Sequence, residues 1–268
     1  MRATSPGVHL LSCPKVIGSL VRGAGVGPGD LVIDFGAGPG TLTAPLAATG
    51  ARVLAVERDE AFVRALRRRF ADRPEVRVVH DDVRRVRLPR RDFAVVASIP
   101  FAVSTVLLRR LLSPVPGRLA LADLVVEWGL ARRLTAAHPR DLESAWWAAR
   151  FSLRVVRRVP ARCFSPPPAV DAAHLSIRRW SGLDTRGSAV LWDLLAAAYG
   201  RPSAPARQVV GWRTGDRQAR RLLRAAGADP AAAAGSVRVD AWARVAAAMA
   251  GAHGAAAPRL PRALREVR

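Results

Sequence analysis

The stretch Asp34-Phe35-Gly36-Ala37-Gly38-Pro39-Gly40-Thr41 has the strongest chemical signature in the chain. Glycines at alternate positions let a backbone turn tightly and approach a ligand closely. A dinucleotide fingerprint spaces its glycines GxGxxG. Here the spacing is GxGxG, and Pro39 removes an N–H donor, which favours a ligand without phosphate. Glu57 ends a strand-like segment further on, where an acid can accept both ribose hydroxyls of a nucleoside. Asp82 follows the next strand-like segment, where a carboxylate can take an amino proton of adenine. Alone, the glycines fit a structural turn equally well. With Glu57 and Asp82 in register they describe a pocket for adenosine carrying a non-phosphate group, which is S-adenosylmethionine.

The second candidate is Ser98-Ile99-Pro100-Phe101. It ends a fourth strand-like segment, and ligands of open α/β sheets bind at the carboxyl ends of strands. The aromatic face of Phe101 can stack on a flat base. The Ser98 hydroxyl and a backbone carbonyl can accept protons from an exocyclic amine. Without that context the same residues are a proline turn with a core phenylalanine.

Elements to position these residues are legible around them. The segments 31–35, 52–57, 76–80, 93–98 and 119–127 are short apolar runs that predict buried strands. Residues 41–48, 59–70 and 103–112 predict helices between them. Segments 151–159 and 172–180 are joined by a Pro-rich turn, which predicts an antiparallel edge. The pattern is an α/β, doubly wound sheet. Beyond Trp180, residues 182–187 read as a linker. Residues 188–199, 217–226 and 239–250 then read as helices of a small domain. The expected boundaries are 1–180 for the sheet domain, 181–253 for the helical domain and 254–268 for a basic, disordered tail.

Composition narrows the partner. The chain has 268 residues, 43 Lys+Arg against 21 Asp+Glu and a net charge of +22. All the basic residues but Lys15 are arginine. The excess runs through the whole chain, as suits a protein that meets a large polyanion. Arg67–Arg69 and the arginines of 84–91 are candidates for RNA contact. No apolar run is long enough for a membrane helix and no signal core opens the chain, so a cytoplasmic protein is expected. Two cysteines, Cys13 and Cys163, exclude a disulfide scaffold and read as inert. His80, His138, His174 and His253 have no metal spacing. Trp146, Trp147 and Trp242 read as core.

The motifs DFGAGPGTLT, AVERD, HDDV and VASIPFAVST, with CFSPPPAVDAAHLSIRR further on, resemble the rRNA adenine-N6 dimethyltransferases. Within that group the chain most resembles the erythromycin-resistance (Erm) enzymes, which modify 23S rRNA. The phenylalanine of SIPF and the short basic C-terminal region favour them over the 16S rRNA branch. The resemblance runs in order from about residue 8 to residue 180. It implies a Rossmann-like class I methyltransferase sheet with a small all-helical, RNA-binding C-terminal domain over 181–253. It further implies a monomer without metal that uses S-adenosylmethionine on an adenine N6 of 23S rRNA, giving macrolide-type resistance.

The resemblance also implies residue roles. The family's N-terminal Gln-Asn-Phe-Leu lies over Val8-His9-Leu10-Leu11, so His9 and Leu11 would flank the methionine end of the cofactor. Gly36 and Gly38 would line the pocket. Glu57 with Arg58 would hold the ribose, and Asp82 with Val83 the adenine. The family's Asn-Ile-Pro-Phe/Tyr falls on Ser98–Phe101, so Ser98, Pro100 and Phe101 would form the catalytic loop, with Ser98 also touching the cofactor. Phe164 would be the second aromatic against the target base. Two positions depart from the pattern: Val8-His9 replaces Gln-Asn, and Ser98 replaces the catalytic-loop Asn. The second departure also fits a nucleic-acid-binding relative with weakened catalysis.

Overall fold

The computed structural model describes residues 9–180, 183–251 and 258–265. The chain divides into two compact units. The first takes residues through Leu111, Arg118–Arg133 and Leu153–Arg179. The second takes Leu112–Gly117, Leu134–Ser152 and the chain from Trp180 onward. Two segments before residue 180 thus join the helical unit instead of the sheet.

The first unit is built on a seven-stranded sheet in the order β4-β3-β2-β5-β6-β9-β7. Strands β2 (Leu31–Phe35), β3 (Arg52–Glu57), β4 (Val76–His80), β5 (Phe93–Ser98) and β6 (Leu119–Glu127) are parallel, and each occupies the apolar run that predicts it. β2 pairs with β3 on one side and β5 on the other, so the order of the strands reverses at that point. A crevice therefore opens beyond the carboxyl ends of β2 and β5. Helices α1 (Pro14–Ala24), α2 (Thr43–Ala47), α3 (Glu60–Arg69), α4 (Ser104–Leu112) and α5 (Trp128–Leu134) intervene. Asp59 caps α3, its carboxylate accepting from Ala61 and Phe62 N–H, which satisfies donors the helix cannot.

The antiparallel strand does not lie at the edge of the sheet. β9 (Ala172–Arg179) pairs antiparallel with β6 and sits one place inside β7 (Phe151–Val159). Burial explains the order. Six successive residues of β9 are buried, as a strand covered on both faces requires. β7 has exposed residues along its length, including Arg157 and Arg158, and charged side chains protect an edge. A second, two-stranded sheet pairs β1 (Leu10–Leu11) with β8 (Phe164–Ser165).

The second unit contains α6 (Leu142–Arg150), α7 (Thr185–Gly200), α8 (Ala206–Thr214), α9 (Asp216–Ala225) and α10 (Val239–Gly251). Trp146, Trp147 and Trp242 are buried, and Trp146 meets Trp192 edge to face at 5.4 Å. The segment read as a linker runs into a helix: Asp184 accepts from Gly187 N–H at 2.7 Å and starts α7 at Thr185. The basic tail is also ordered in part. Leu260 and Leu264 are buried, and Val115 N–H donates to Leu264 O at 2.8 Å. Two leucines among prolines and arginines suffice to anchor that segment. No described helix is long and apolar enough to cross a membrane.

Candidate active site

Four neighbouring strands deliver the candidate residues to one edge of the sheet. β2 ends in Asp34 and Phe35, and Gly36 follows. β3 ends in Glu57, β4 leads through His80 to Asp82, and β5 ends in Ser98. Gly36 has a φ of +74°, which side-chain-bearing residues rarely adopt. A Cβ there would stand 3.4 Å from Pro100 Cδ and 4.0 Å from Ser98 O. The glycine loop thus lies directly against the catalytic-loop candidate. A Cβ on Gly38 would stand 3.2 Å from Leu10 Cδ2, so β1 closes over the same loop.

Asp34 holds the loop together from beneath. It is buried, and Thr43 Oγ1 donates to its Oδ2 at 2.7 Å, tying the end of β2 to α2. Burial pushes its carboxyl up to about 7, and the charge of Glu57 pushes the same way. At neutral pH this site therefore carries less negative charge than its acids suggest.

Glu57 does more than the sequence predicts. Its Oε2 accepts from Gly38 N–H at 2.8 Å, and its Oε1 accepts from Arg58 and Asp59 N–H at 2.7 and 2.8 Å. A carboxylate has about four acceptor positions. Three are spent on the protein backbone, which leaves fewer than the two that a pair of ribose hydroxyls would ask for. Asp82 is engaged too. Arg84 grips it with Nε and Nη2, the shortest contact being 2.6 Å, and also donates its backbone N–H. The Arg84 guanidinium holds the Asp82 carboxyl well below the usual carboxylate range. Sequence reasoning missed this fork, although its spacing of two residues made it available. Val83 is buried beside Asp82, and Arg58 is exposed.

The catalytic-loop candidates meet a wall of the core. Ser98 is half-buried, Pro100 exposed and Phe101 half-buried. Among the described residues Ser98 Oγ has no hydrogen-bond partner, so its lone pairs remain available. Phe101 and Phe164 belong to one hydrophobic cluster, which also contains Leu11. Phe164 is only 5% exposed, so it presents little open face and Phe101 supplies more.

The N-terminal segment is fastened beside them. Leu10 pairs with Ser165 and Leu11 with Phe164. The His9 ring donates from Nδ1 to Pro166 O at 2.9 Å. Val8 lies outside the described residues. This pairing also brings the two cysteines' segments together, Ser12 N–H donating to Cys163 O at 2.8 Å. The Val16 N–H in the first turn of α1 lowers the Cys13 thiol, while burial raises that of Cys163. No local spacing could reveal this, because the pairing strands have two residues each. Arg69, expected in an RNA-facing patch, instead donates to Pro39 O at 2.7 Å and braces the glycine loop. No group of His, Cys, Asp and Glu among the described residues could hold a metal ion.

A strand reversal with a glycine loop beneath it, carboxylates on the next two strands and one antiparallel strand define the class: a Rossmann-like methyltransferase domain. Comparison with known proteins narrows it. Residues 3–187 match the model of the family described as ribosomal RNA adenine dimethylase, and the chain belongs to that family. An rRNA adenine N-6-methyltransferase of Bacillus licheniformis is 33% identical over 181 residues, 66% of this chain and 63% of its own length. The chain therefore spans under two thirds of that relative. A ribosomal RNA small subunit methyltransferase A of Phenylobacterium zucineum is 34% identical, over 88% of this chain and 86% of its own. The mycinamicin-resistance protein MyrB of Micromonospora griseorubida is 33% identical, over 79% and 68%. The crystal structure of the 23S rRNA methyltransferase ErmE superposes with a TM-score of 0.74 at 23% identity, covering 88% of this chain and 98% of that one.

Proposed function

We propose that this chain methylates N6 of an adenosine in 23S rRNA, with S-adenosylmethionine as methyl donor, and thereby confers macrolide-type resistance. One observation carries the reading. The glycine loop that would hold the donor and the Ser98–Phe101 loop that would hold the acceptor are in van der Waals reach of one another, Gly36 against Pro100. The pocket fits the donor chemically. Its glycines leave room, Pro39 offers no donor for a phosphate, and Glu57 keeps an acceptor position for a ribose hydroxyl. His9, Leu11, Gly36 and Gly38 would surround its methionine end, Glu57 and Arg58 the ribose, and Asp82 and Val83 the adenine. When bound, the donor supplies a methyl group on a sulfonium, which leaves readily once aligned.

The protein's own task is to align and to accept protons. An adenine N6 is a poor nucleophile because its lone pair is delocalised into the ring. Ser98 Oγ and a neighbouring carbonyl accept the amine protons and draw the nitrogen toward tetrahedral geometry. Phe101 stacks on the base, with Phe164 as the wall behind it. The net charge of +22 provides attraction to rRNA. The protein works in the cytoplasm, where rRNA is found, and as a monomer.

The test is transfer of labelled methyl groups from S-adenosylmethionine to purified 23S and 16S rRNA, read by mass spectrometry of the digested RNA. N6-methylated adenosine in 23S rRNA is the expected result. Methylation of 16S rRNA alone would move the chain to the other branch, in keeping with its small-subunit relatives. No transfer to either would make it a binding protein, with Ser98 as the lesion.

A further inference from the structure

Trp212 is the most exposed large apolar side chain among the described residues, at 60%. The sequence treats it no differently from the other tryptophans, yet Trp146, Trp147 and Trp242 are all buried. Its surroundings are arranged. The Arg213 guanidinium lies over the indole at 4.2 Å. Arg213 is itself pinned, its Nε donating to Asp193 Oδ2 at 2.9 Å. One face of the ring is thus covered by a fixed cation, and the rest of the ring supplies the exposure.

The neighbouring helix carries charge without a partner. α8, which carries Trp212, packs against α9, where a Cβ on Gly211 would stand 3.8 Å from Ala219 Cβ. α9 buries Ala219 and Leu223. At 100° per residue, Arg217, Arg221 and Arg224 lie together on its opposite, exposed face. None of these three guanidinium groups has a hydrogen-bond or ion-pair partner among the described residues. Arg220, by contrast, is paired with Asp216.

A partner for this hairpin must be both anionic and flat. An anionic membrane would call for several outward apolar residues, but those of α9 are turned inward. An acidic protein surface would match the charge and leave the open indole without a counterpart. Nucleic acid with an unpaired base satisfies both demands. We propose that the α8–α9 hairpin is an RNA contact in its own right. An unpaired base stacks on the open face of Trp212, and the phosphates on either side lie along Arg217, Arg221 and Arg224. This deepens the rRNA methyltransferase reading and rests on it for the identity of the RNA. No residue of the hairpin belongs to the methyl-transfer site described above.

The experiment measures binding of the full chain to two RNAs of equal length by fluorescence anisotropy. One is a stem with an unpaired purine-rich loop, the other a fully paired duplex. Trp212→Ala should weaken binding to the looped RNA by about 5- to 100-fold, as expected for losing one stacked base, and leave the duplex unchanged. Trp212→Phe should recover most of the loss. Replacing Arg217, Arg221 and Arg224 together with alanine should flatten the log–log salt dependence by about 2. Calorimetry with S-adenosylmethionine should be the same in all these variants. Unchanged affinity of Trp212→Ala for the looped RNA, or an equal loss on both RNAs, would overturn the proposal. A Trp212 effect in a protein that transfers no methyl group would sustain this contact and overturn the methyltransferase reading alone.

Discussion

Replacing Asp34 with asparagine should stabilise the protein, and by an amount that grows with pH. Asp34 is 1% exposed, and its carboxyl accepts from Thr43. Burial lifts it from an ordinary value of 3.8 to about 7. Between those values the native state keeps a proton that the unfolded chain releases. The native state then binds more protons, so stability falls as pH rises through the window. The slope is about 1.4 kcal/mol per pH unit, which amounts to at most about 4 kcal/mol across the window. An asparagine amide would still accept from Thr43 but would never have to stay protonated against the solvent. The advantage of Asp34→Asn should therefore be about 2 kcal/mol near pH 5.5, rise to about 4 kcal/mol by pH 7, and then level off. Urea unfolding of both proteins, followed by circular dichroism from pH 4.5 to 8.5, measures the difference directly. A constant offset between the two curves could come from packing. What would refute the reasoning is a difference that stays flat or shrinks as pH rises, because Asp34 would then be ionised in the native state.

Three further outcomes are expected. Ser98→Asn places a longer acceptor beside the target amine, so it should raise turnover more than cofactor affinity and shift the product from monomethyl toward dimethyl adenosine; mass spectrometry of digested rRNA showing full dimethylation by the native protein, unimproved by Asn, would show that serine already suffices. Arg84→Ala releases Asp82 from its fork, and S-adenosylmethionine should bind about two- to fivefold tighter by calorimetry, as befits a partly exposed ion pair; weaker binding would make Arg84 part of the adenine site. Gly40→Ala adds a Cβ 2.9 Å from Phe70 Cε2 at a φ of +85°, which should cost about 2–5 kcal/mol in strain and overpacking, whereas Gly29→Ala, with nothing within 4 Å, should lose only the strain; equal melting temperatures for the two would contradict this.

Parallel strands buried on both faces are the most legible in the sequence. LVIDF, RVLAVE and FAVVAS are apolar runs ended by a glycine, a charge or a proline, and β2, β3 and β5 occupy them residue for residue. The glycine loop, Glu57, Asp82 and Ser98 can be placed because each ends such a run. What escapes depends on pairing across the chain or on side-chain partners. β1 and β8 are two residues each and exist only through one another. The position of β9 inside β7 follows from burial that only the assembled sheet creates. α8 is hidden because Arg207, Gly211 and Arg213 interrupt its apolar stripe. In the sequence Glu57 and Asp82 are open acceptors, yet in the fold the backbone and Arg84 already occupy most of their capacity.

The strand pair β1–β8 has a consequence for the order in which the protein becomes competent. His9 and Pro166, joined at that clasp, are 157 positions apart. At synthesis rates of roughly 5–20 residues per second, about 8–30 s separate the emergence of the two. In that interval β2 to β5 can already pair locally, while Leu11 waits with its apolar surface uncovered. Long-range contacts of this kind are the slow ones in folding. The glycine loop and its carboxylates are thus assembled first, and the segment that closes over them arrives last. A nascent chain stopped short of residue 164 would carry Gly36, Glu57, Asp82 and Phe101 and still lack the strand that fastens β1.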